Sequence, residues 1–266
     1  MTDTPQPDYS LLDRPEVLSL VFHPRPEQRR PGIPGRDLLI PVEERVMVGA
    51  RFHPADQSAV NILFFHGNGE IVADYDDMGP IYNRMGINFL PVDYRGYGRS
   101  TGKPTVTAMM KDCHAILAYV RDWLKEIRYT GPLIVMGRSL GSASALELAA
   151  SHKDLISALI IESGFANTGL LLRLLGIDVM RLGFDEKNSF GNTEKIQAFD
   201  KPTLIIHAEW DHIIPFSDAR TLLNASPAVD KTLLKIPQAD HNDILVRGMA
   251  QYLSAVKTLT DKVKNA

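Results

Sequence analysis

The sequence predicts an α/β fold in which helices cover both faces of a mostly parallel sheet. From about residue 60 onward, short β-branched apolar runs alternate with helix-forming runs, as they do in proteins with a parallel sheet. The run 132–136 is typical of a strand buried on both faces, and 143–150 is strongly helix-forming. Between them lies a Gly-x-Ser-x-Gly motif centred on Ser139, which is typical of a sharp turn from strand to helix.

The N-terminal segment 1–36 is predicted to be irregular. Prolines recur throughout it, and they prevent a long helix or a central strand. A short helix over 15–22 is compatible with their spacing. We expect the rest of the chain, 37–266, to form one domain.

That domain is expected to begin with an antiparallel strand pair over 37–43 and 46–53. Further strands are expected at 60–65, 87–92, 132–137, 156–161, 202–207 and 231–236. Helices are expected at 73–86, 105–128, 139–151 and 243–262. The segment 164–201 breaks the alternation and is longer than one helix needs, so we predict a small helical cap there.

A leucine-rich run in this cap, 170–177, is too apolar for a helix with one wet face. Its side chains would either line a groove for an acyl chain, with Leu171 and Leu174 as substrate contacts, or pack against the core or another subunit. Tyr97, in the glycine-containing loop 93–100, and Ile213 are the other predicted substrate contacts.

Three polar residues have the types and order that serine-dependent catalysis requires. A serine hydroxyl becomes a nucleophile only when a base takes its proton and an acid orients that base. Ser139 is the predicted nucleophile. Asp211, in a polar turn after one strand-like run, is the predicted acid, and His241, in the loop before the last helix, is the predicted base.

Two backbone N–H groups are predicted to form an oxyanion hole. One belongs to Leu140, directly after the nucleophile, and the other to Asn68, in a glycine-containing loop after the strand 60–65. Glu162, at the end of a neighbouring strand, is an alternative acid. Arg138, beside the nucleophile, is expected to form a structural ion pair with Glu162 or with an aspartate of the loop 93–100.

No metal site is predicted. His207 and His212 flank Asp211, but no further ligand has the spacing of a metal-binding helix.

Five sequence blocks together resemble a known family, the alpha/beta-hydrolase-domain serine hydrolases. The resemblance extends from about residue 20 to the C-terminus, and the nearest branch contains lysophospholipases and protein depalmitoylases. The blocks are His66-Gly67-Asn68-Gly69, Asp93-Tyr94-Arg95-Gly96-Tyr97-Gly98-Arg99-Ser100, Gly137-Arg138-Ser139-Leu140-Gly141, Asp211-His212-Ile213-Ile214-Pro215 and His241-Asn242-Asp243.

The resemblance implies an alpha/beta-hydrolase fold with an eight-stranded, mostly parallel sheet, a Ser-His-Asp triad on Ser139, His241 and Asp211, and no cofactor. The chain departs from the family pattern at Glu70, where a small residue is usual, and at 238–240, which replaces a glycine-rich approach to the histidine.

Composition argues against several classes of function. The formal net charge of -3 argues against nucleic acid or an anionic membrane as the main partner. The single Cys113 excludes an internal disulfide, and no apolar run has the length of a membrane span or the layout of a signal peptide. We expect a cytoplasmic hydrolase acting on small esters or thioesters, with acyl chains as the favoured substrates.

Two alternatives remain open from the sequence. A peptidase or amidase would use the same triad, and a non-catalytic binding protein could keep the fold and the pocket. The sequence does not predict the oligomeric state.

Overall fold

The computed structural model describes residues 7–28 and 35–265. Eight strands of these residues form one sheet in the order β1-β2-β4-β3-β5-β6-β7-β8. The strands are Arg36–Glu43 (β1), Val46–Phe52 (β2), Val60–Phe65 (β3), Ile87–Val92 (β4), Leu133–Arg138 (β5), Ala158–Glu162 (β6), Thr203–Ala208 (β7) and Lys231–Ile236 (β8).

The pairing is antiparallel only at the start of the sheet. β1 pairs with β2, and β2 with β4, in antiparallel fashion; all later neighbours pair in parallel. The predicted mostly parallel, eight-stranded sheet is therefore confirmed. Because parallel strands share a direction, the carboxyl ends of β3, β5, β7 and β8 lie at one edge, where α/β proteins place their sites.

Helices cover both faces of this sheet, as predicted. They are Pro15–Val21 (α1), Met78–Arg84 (α2), Val106–Glu126 (α3), Gly141–Ser151 (α4), Thr168–Leu174 (α5), Val179–Leu182 (α6), Asn192–Gln197 (α7), Phe216–Ala225 (α8) and Ile244–Lys264 (α9). Side chains of α3, α4 and α8 form one apolar core, and those of α2 and α9 form a second. Within the described residues, no helix is both long and apolar enough to cross a membrane.

The prediction of a single helix over 73–86 is wrong. The structure has a 3₁₀ turn, Val72–Tyr75, followed by α2, which begins at Met78. Pro80 lacks an N–H group and is tolerated only in the first turn of a helix, so α2 begins just before it.

The N-terminal segment packs into the domain core. Tyr9, Leu12 and Val17 are buried, and the Tyr9 ring lies 6.2 Å from that of Phe190. α1 occupies the position of the expected short helix, whereas 1–6 and 29–34 of the segment predicted to be irregular lie outside the described residues.

A buried arginine anchors the end of this segment. The guanidinium of Arg51 on β2 lies 2.7 Å from Glu27, 2.7 Å from Asp37 and 2.6 Å from Asp76. The side chains of Arg51 and Glu27 are only 5% and 4% exposed. This ion cluster fixes the N-terminal segment to the sheet.

Replacing this cation should destabilise the fold. We expect Arg51→Met to lower the free energy of unfolding by roughly 3–5 kcal/mol, because it removes the cation nearest to the largely buried carboxylates of Glu27 and Asp76. Glu27 would keep only its 3.3 Å pair with Arg99. Lys257→Met removes an exposed pair with Asp261 on α9 and should cost about 1 kcal/mol or less. Urea unfolding of both variants measures the difference, and equal losses would contradict the assignment.

Candidate active site

The turn between β5 and α4 holds Ser139 in a strained conformation. Its φ is 50°, in the left-handed region that L-residues other than glycine, asparagine and aspartate seldom adopt. A Cβ on Gly137 would lie 2.3 Å from the Gly141 carbonyl oxygen, and one on Gly141 would lie 2.1 Å from that of Phe65. The two glycines thus allow the helix to approach β3 and β5 closely enough to form the turn.

The structure brings Ser139, His241 and Asp211 together although they lie in three separate loops. The Nε2 atom of His241 is 3.0 Å from Ser139 Oγ, and its Nδ1 atom is 2.7 Å from Asp211 Oδ2. Because an ionised carboxylate only accepts, Nδ1 donates to Asp211 and Nε2 is left to accept from the serine hydroxyl. This is the proton arrangement that a serine nucleophile requires.

Hydrogen bonds keep Asp211 ionised. Its Oδ1 atom accepts from the N–H groups of Ile213, at 3.0 Å, and Ile214, at 2.8 Å. Burial raises the pKa of Asp211, but the hydrogen bonds from His241 and the Ile214 N–H outweigh burial, so the pKa lies below its ordinary value. Asp211 is therefore negatively charged near neutral pH.

His207 supports the same loop. Its Nε2 atom donates to the Ile214 carbonyl at 2.9 Å and lies 3.5 Å from Asp211 Oδ2. Burial lowers the pKa of His207, which favours the neutral form. His212 is exposed and lies 3.8 Å from Asp240, and the described residues contain no cluster of three or more side chains suited to a metal ion.

The two predicted oxyanion donors lie beside the serine. Asn68 and Leu140 line the same cavity as Ser139, and across residues 7–28 and 35–265 neither backbone N–H donates to a protein acceptor. The Asn68 side chain is held by its Oδ1 atom, which accepts from Tyr97 Oη and from the His23 N–H, each at 2.8 Å. Both N–H groups thus remain available to an oxyanion.

The cavity at Ser139 measures about 310 Å³ and is mostly apolar. This volume is near the lower end of the usual range for small-molecule sites. Its apolar lining residues come from α1, the segment 164–201 and the loops after β5 and β7: Leu20, Val21, Leu140, Leu171, Leu172, Leu175, Phe190 and Ile213. The structure therefore places the predicted contacts Leu171 and Ile213 at the cavity.

Two of the predicted substrate contacts, Tyr97 and Leu174, do not line the cavity. Tyr97 is fully buried, and its hydroxyl donates to Asn68 instead of facing the cavity. Leu174 is 51% exposed and lies outside the cavity lining, because the side of α5 that faces the cavity presents Leu171 and Leu172.

The N-terminal wall of the cavity was not predicted. Leu20, Val21 and His23 lie beside the loop that contains Asn68, and His23 Nδ1 is 2.8 Å from the side-chain nitrogen Nδ2 of Asn68. The only sequence signal was the apolar pair Val17 and Val21, whose spacing of four residues places both on one face of a short helix.

Arg138 is largely buried and makes the expected pair with Glu162, at 3.0 Å, but it also lies 2.9 Å from Glu70. The expected alternative partner Asp93 instead accepts from the Val72 N–H and contacts His66. Glu162 accepts from Tyr252 at 2.7 Å, and burial raises its pKa. The carboxylate that is hydrogen-bonded to His241 in the structure is therefore Asp211 and not Glu162.

Solved structures of several hydrolases share this architecture. The esterase Pf2001 of Pyrococcus furiosus matches with a TM-score of 0.73 at 17% identity, over 91% of this chain and 98% of that one. A soluble variant of monoglyceride lipase from Saccharomyces cerevisiae matches with a TM-score of 0.67 at 19% identity, over 89% and 96%.

Sequence comparisons agree with the shared fold. The family described as serine aminopeptidase, S33, matches residues 56–181. The human alpha/beta hydrolase domain-containing protein 17B is 30% identical over 209 residues, which are 74% of this chain and 64% of that protein. The chain has the alpha/beta-hydrolase fold.

A second relative is the protein bem46 of Schizosaccharomyces pombe, which is 28% identical over 192 residues, 70% of this chain and 63% of that protein. The chain spans slightly less than two thirds of the length of these two relatives.

A fluorophosphonate should label Ser139, because among the serines that the structure describes only its hydroxyl contacts a histidine that is paired with an aspartate. We expect mass spectrometry to find one adduct on the peptide that contains Ser139. Labelling should vanish in Ser139→Ala and persist in Ser144→Ala, which changes a buried serine of α4. An adduct that survives in Ser139→Ala would place the nucleophile elsewhere.

Proposed function

We propose that this protein is a serine hydrolase that cleaves carboxylic esters or thioesters of acyl chains through an acyl-enzyme on Ser139. The observation that carries the proposal is the contact of Ser139 with His241, 3.0 Å long, inside an apolar cavity. The triad geometry supports acyl transfer, and the leucine-rich lining supports an acyl chain as the group transferred.

The proposed mechanism uses only groups of this chain. His241 takes the proton of Ser139 as the serine oxygen attacks the carbonyl carbon, and the N–H groups of Asn68 and Leu140 stabilise the oxyanion. The bond to the leaving alcohol or thiol breaks as His241 returns the proton. Water then attacks the acyl-enzyme by the same route, while Asp211 stabilises the imidazolium that forms twice in the cycle.

An aminopeptidase activity is the alternative that the matched family description suggests. Such an enzyme must bind the free ammonium group of its substrate, for which a carboxylate is the usual partner. Among the described residues that line the cavity, none is Asp or Glu, and the one full cation, Arg138, has the wrong sign. These features favour acyl esters over aminoacyl substrates.

Hydrolysis of p-nitrophenyl esters from acetate to palmitate tests the proposal. We expect turnover to rise from acetate to medium-length chains and to fall again at palmitate, because the cavity is apolar but small. Ser139→Ala should lower kcat by about 10⁶-fold, as in other triads that act as a unit. A palmitoyl thioester and an aminoacyl p-nitroanilide, assayed in parallel, separate the three substrate classes.

Two outcomes of these assays would contradict the proposal. Serine-dependent cleavage of the anilide alone would replace the proposal by an aminopeptidase. Wild-type rates equal to those of Ser139→Ala on every substrate would identify a non-catalytic binding protein.

The side chain at position 171 should set the acyl-chain preference. Leu171→Trp fills part of the cavity, so we expect kcat/KM for medium chains to fall by about 10-fold or more while acetate is spared. Leu174→Trp, on the same helix but outside the cavity, is the matched control and should leave the chain-length profile unchanged. A profile that responds to neither variant would place the acyl chain elsewhere.

A further inference from the structure

We propose that Arg138 is a positioning residue that fixes the nucleophile, the base and the oxyanion loop relative to one another through a single guanidinium. The inference rests on the proposed function, since it assigns Arg138 a part in the reaction of Ser139. Arg138 directly precedes the nucleophile in sequence, so its backbone is part of the same strained turn.

Each nitrogen of the guanidinium contacts a different part of the site. Nη2 donates to the carbonyl oxygen of His241 at 2.8 Å. Nη1 lies 2.9 Å from Glu70 Oε1, and Nε lies 3.0 Å from Glu162 Oε1. One planar group therefore joins the base loop, the loop after β3 and the end of β6.

Glu70 transmits the contact to the oxyanion loop. Its Oε2 atom accepts from the Gly67 N–H at 2.7 Å and from Tyr75 Oη at 2.6 Å. Gly67 directly precedes Asn68, whose N–H is the proposed donor to the oxyanion. A shift of Glu70 would therefore move that donor.

Glu162 anchors the assembly to the core. It accepts from Tyr252 of α9 at 2.7 Å, and it is 5% exposed, while Arg138 is 11% exposed. Burial lowers the pKa of Arg138, but the charges of Glu70 and Glu162 raise it by more than burial lowers it. The guanidinium therefore stays charged.

Packing does not enclose this side chain completely. Arg138 lines both the substrate cavity and a second cavity of about 230 Å³. Its position thus depends on the directions of its hydrogen bonds. A guanidinium presents five donors in a rigid plane, whereas a lysine ammonium is a point charge on a flexible stem.

The test is the rate at which a fluorophosphonate phosphonylates Ser139, which needs no natural substrate. We expect Arg138→Lys, which keeps the positive charge but loses the planar set of donors, to slow phosphonylation by about 10- to 100-fold. Small displacements of catalytic groups lower reaction rates by that factor. Glu70→Gln, which keeps an acceptor for Gly67 but loses the ion pair, should slow it similarly. For any ester that the wild type hydrolyses, kcat should fall while KM changes little.

The double variant provides a sharper readout. If the two residues act as one unit, Arg138→Lys/Glu70→Gln should be little slower than the slower single variant. Arg95→Lys is the matched control, because Arg95 is also largely buried and lies 2.6 Å from Asp112 and 2.7 Å from Glu43. It should lower thermal stability by a similar amount without slowing phosphonylation.

Phosphonylation of folded Arg138→Lys at the wild-type rate would overturn the inference, as would equal slowing by Arg95→Lys. Labelling of Ser139 without hydrolysis of any ester would instead count against the proposed function and leave the role of Arg138 to be read from the labelling rates. A wild-type protein that the probe does not label would contradict both.

Discussion

The active-site geometry depends on one close backbone approach, between the start of α4 and the ends of β3 and β5. There is no room for a Cβ at Gly137 or Gly141, and this contact forces the intervening Ser139 to a positive φ. Because the serine oxygen then stands above the carboxyl edge of the sheet, the loops after β7 and β8 reach it from the side. The positions of Asp211 and His241 thus follow from strand order once the turn exists.

The same turn creates an electrostatic problem. The residue before Ser139, the proposed nucleophile, is an arginine, and the turn directs it into the protein interior, where an unpaired cation would be strongly disfavoured. Two carboxylates and one backbone carbonyl satisfy it. Glu70, the departure from the family pattern after the His-Gly-Asn-Gly block, is therefore an ion-pair partner of the arginine next to Ser139.

The fold and the grouping of Ser139, Asp211 and His241 could be predicted because their signals are local. A buried strand, a glycine-flanked serine and a following helix are all encoded within about twenty residues, and the order of parallel strands brings their loops together. The direction of a side chain in a glycine-containing loop has no such signal, and for that reason the burial of Tyr97 could not be predicted. The prediction of one helix over 73–86 failed because a single residue, Pro80, interrupts an otherwise helical pattern.

The packing of the N-terminal segment that carries the cavity wall could not be predicted for a different reason, since its contacts are remote along the chain. Arg14 donates to the Leu182 carbonyl across 168 residues, and Lys195 contacts Tyr9 across 186. Closing such long loops carries a large entropic cost that only a formed core can offset. We therefore expect the segment 7–28 to dock late in folding, after the sheet has formed, and to become protected from hydrogen exchange later than the strands.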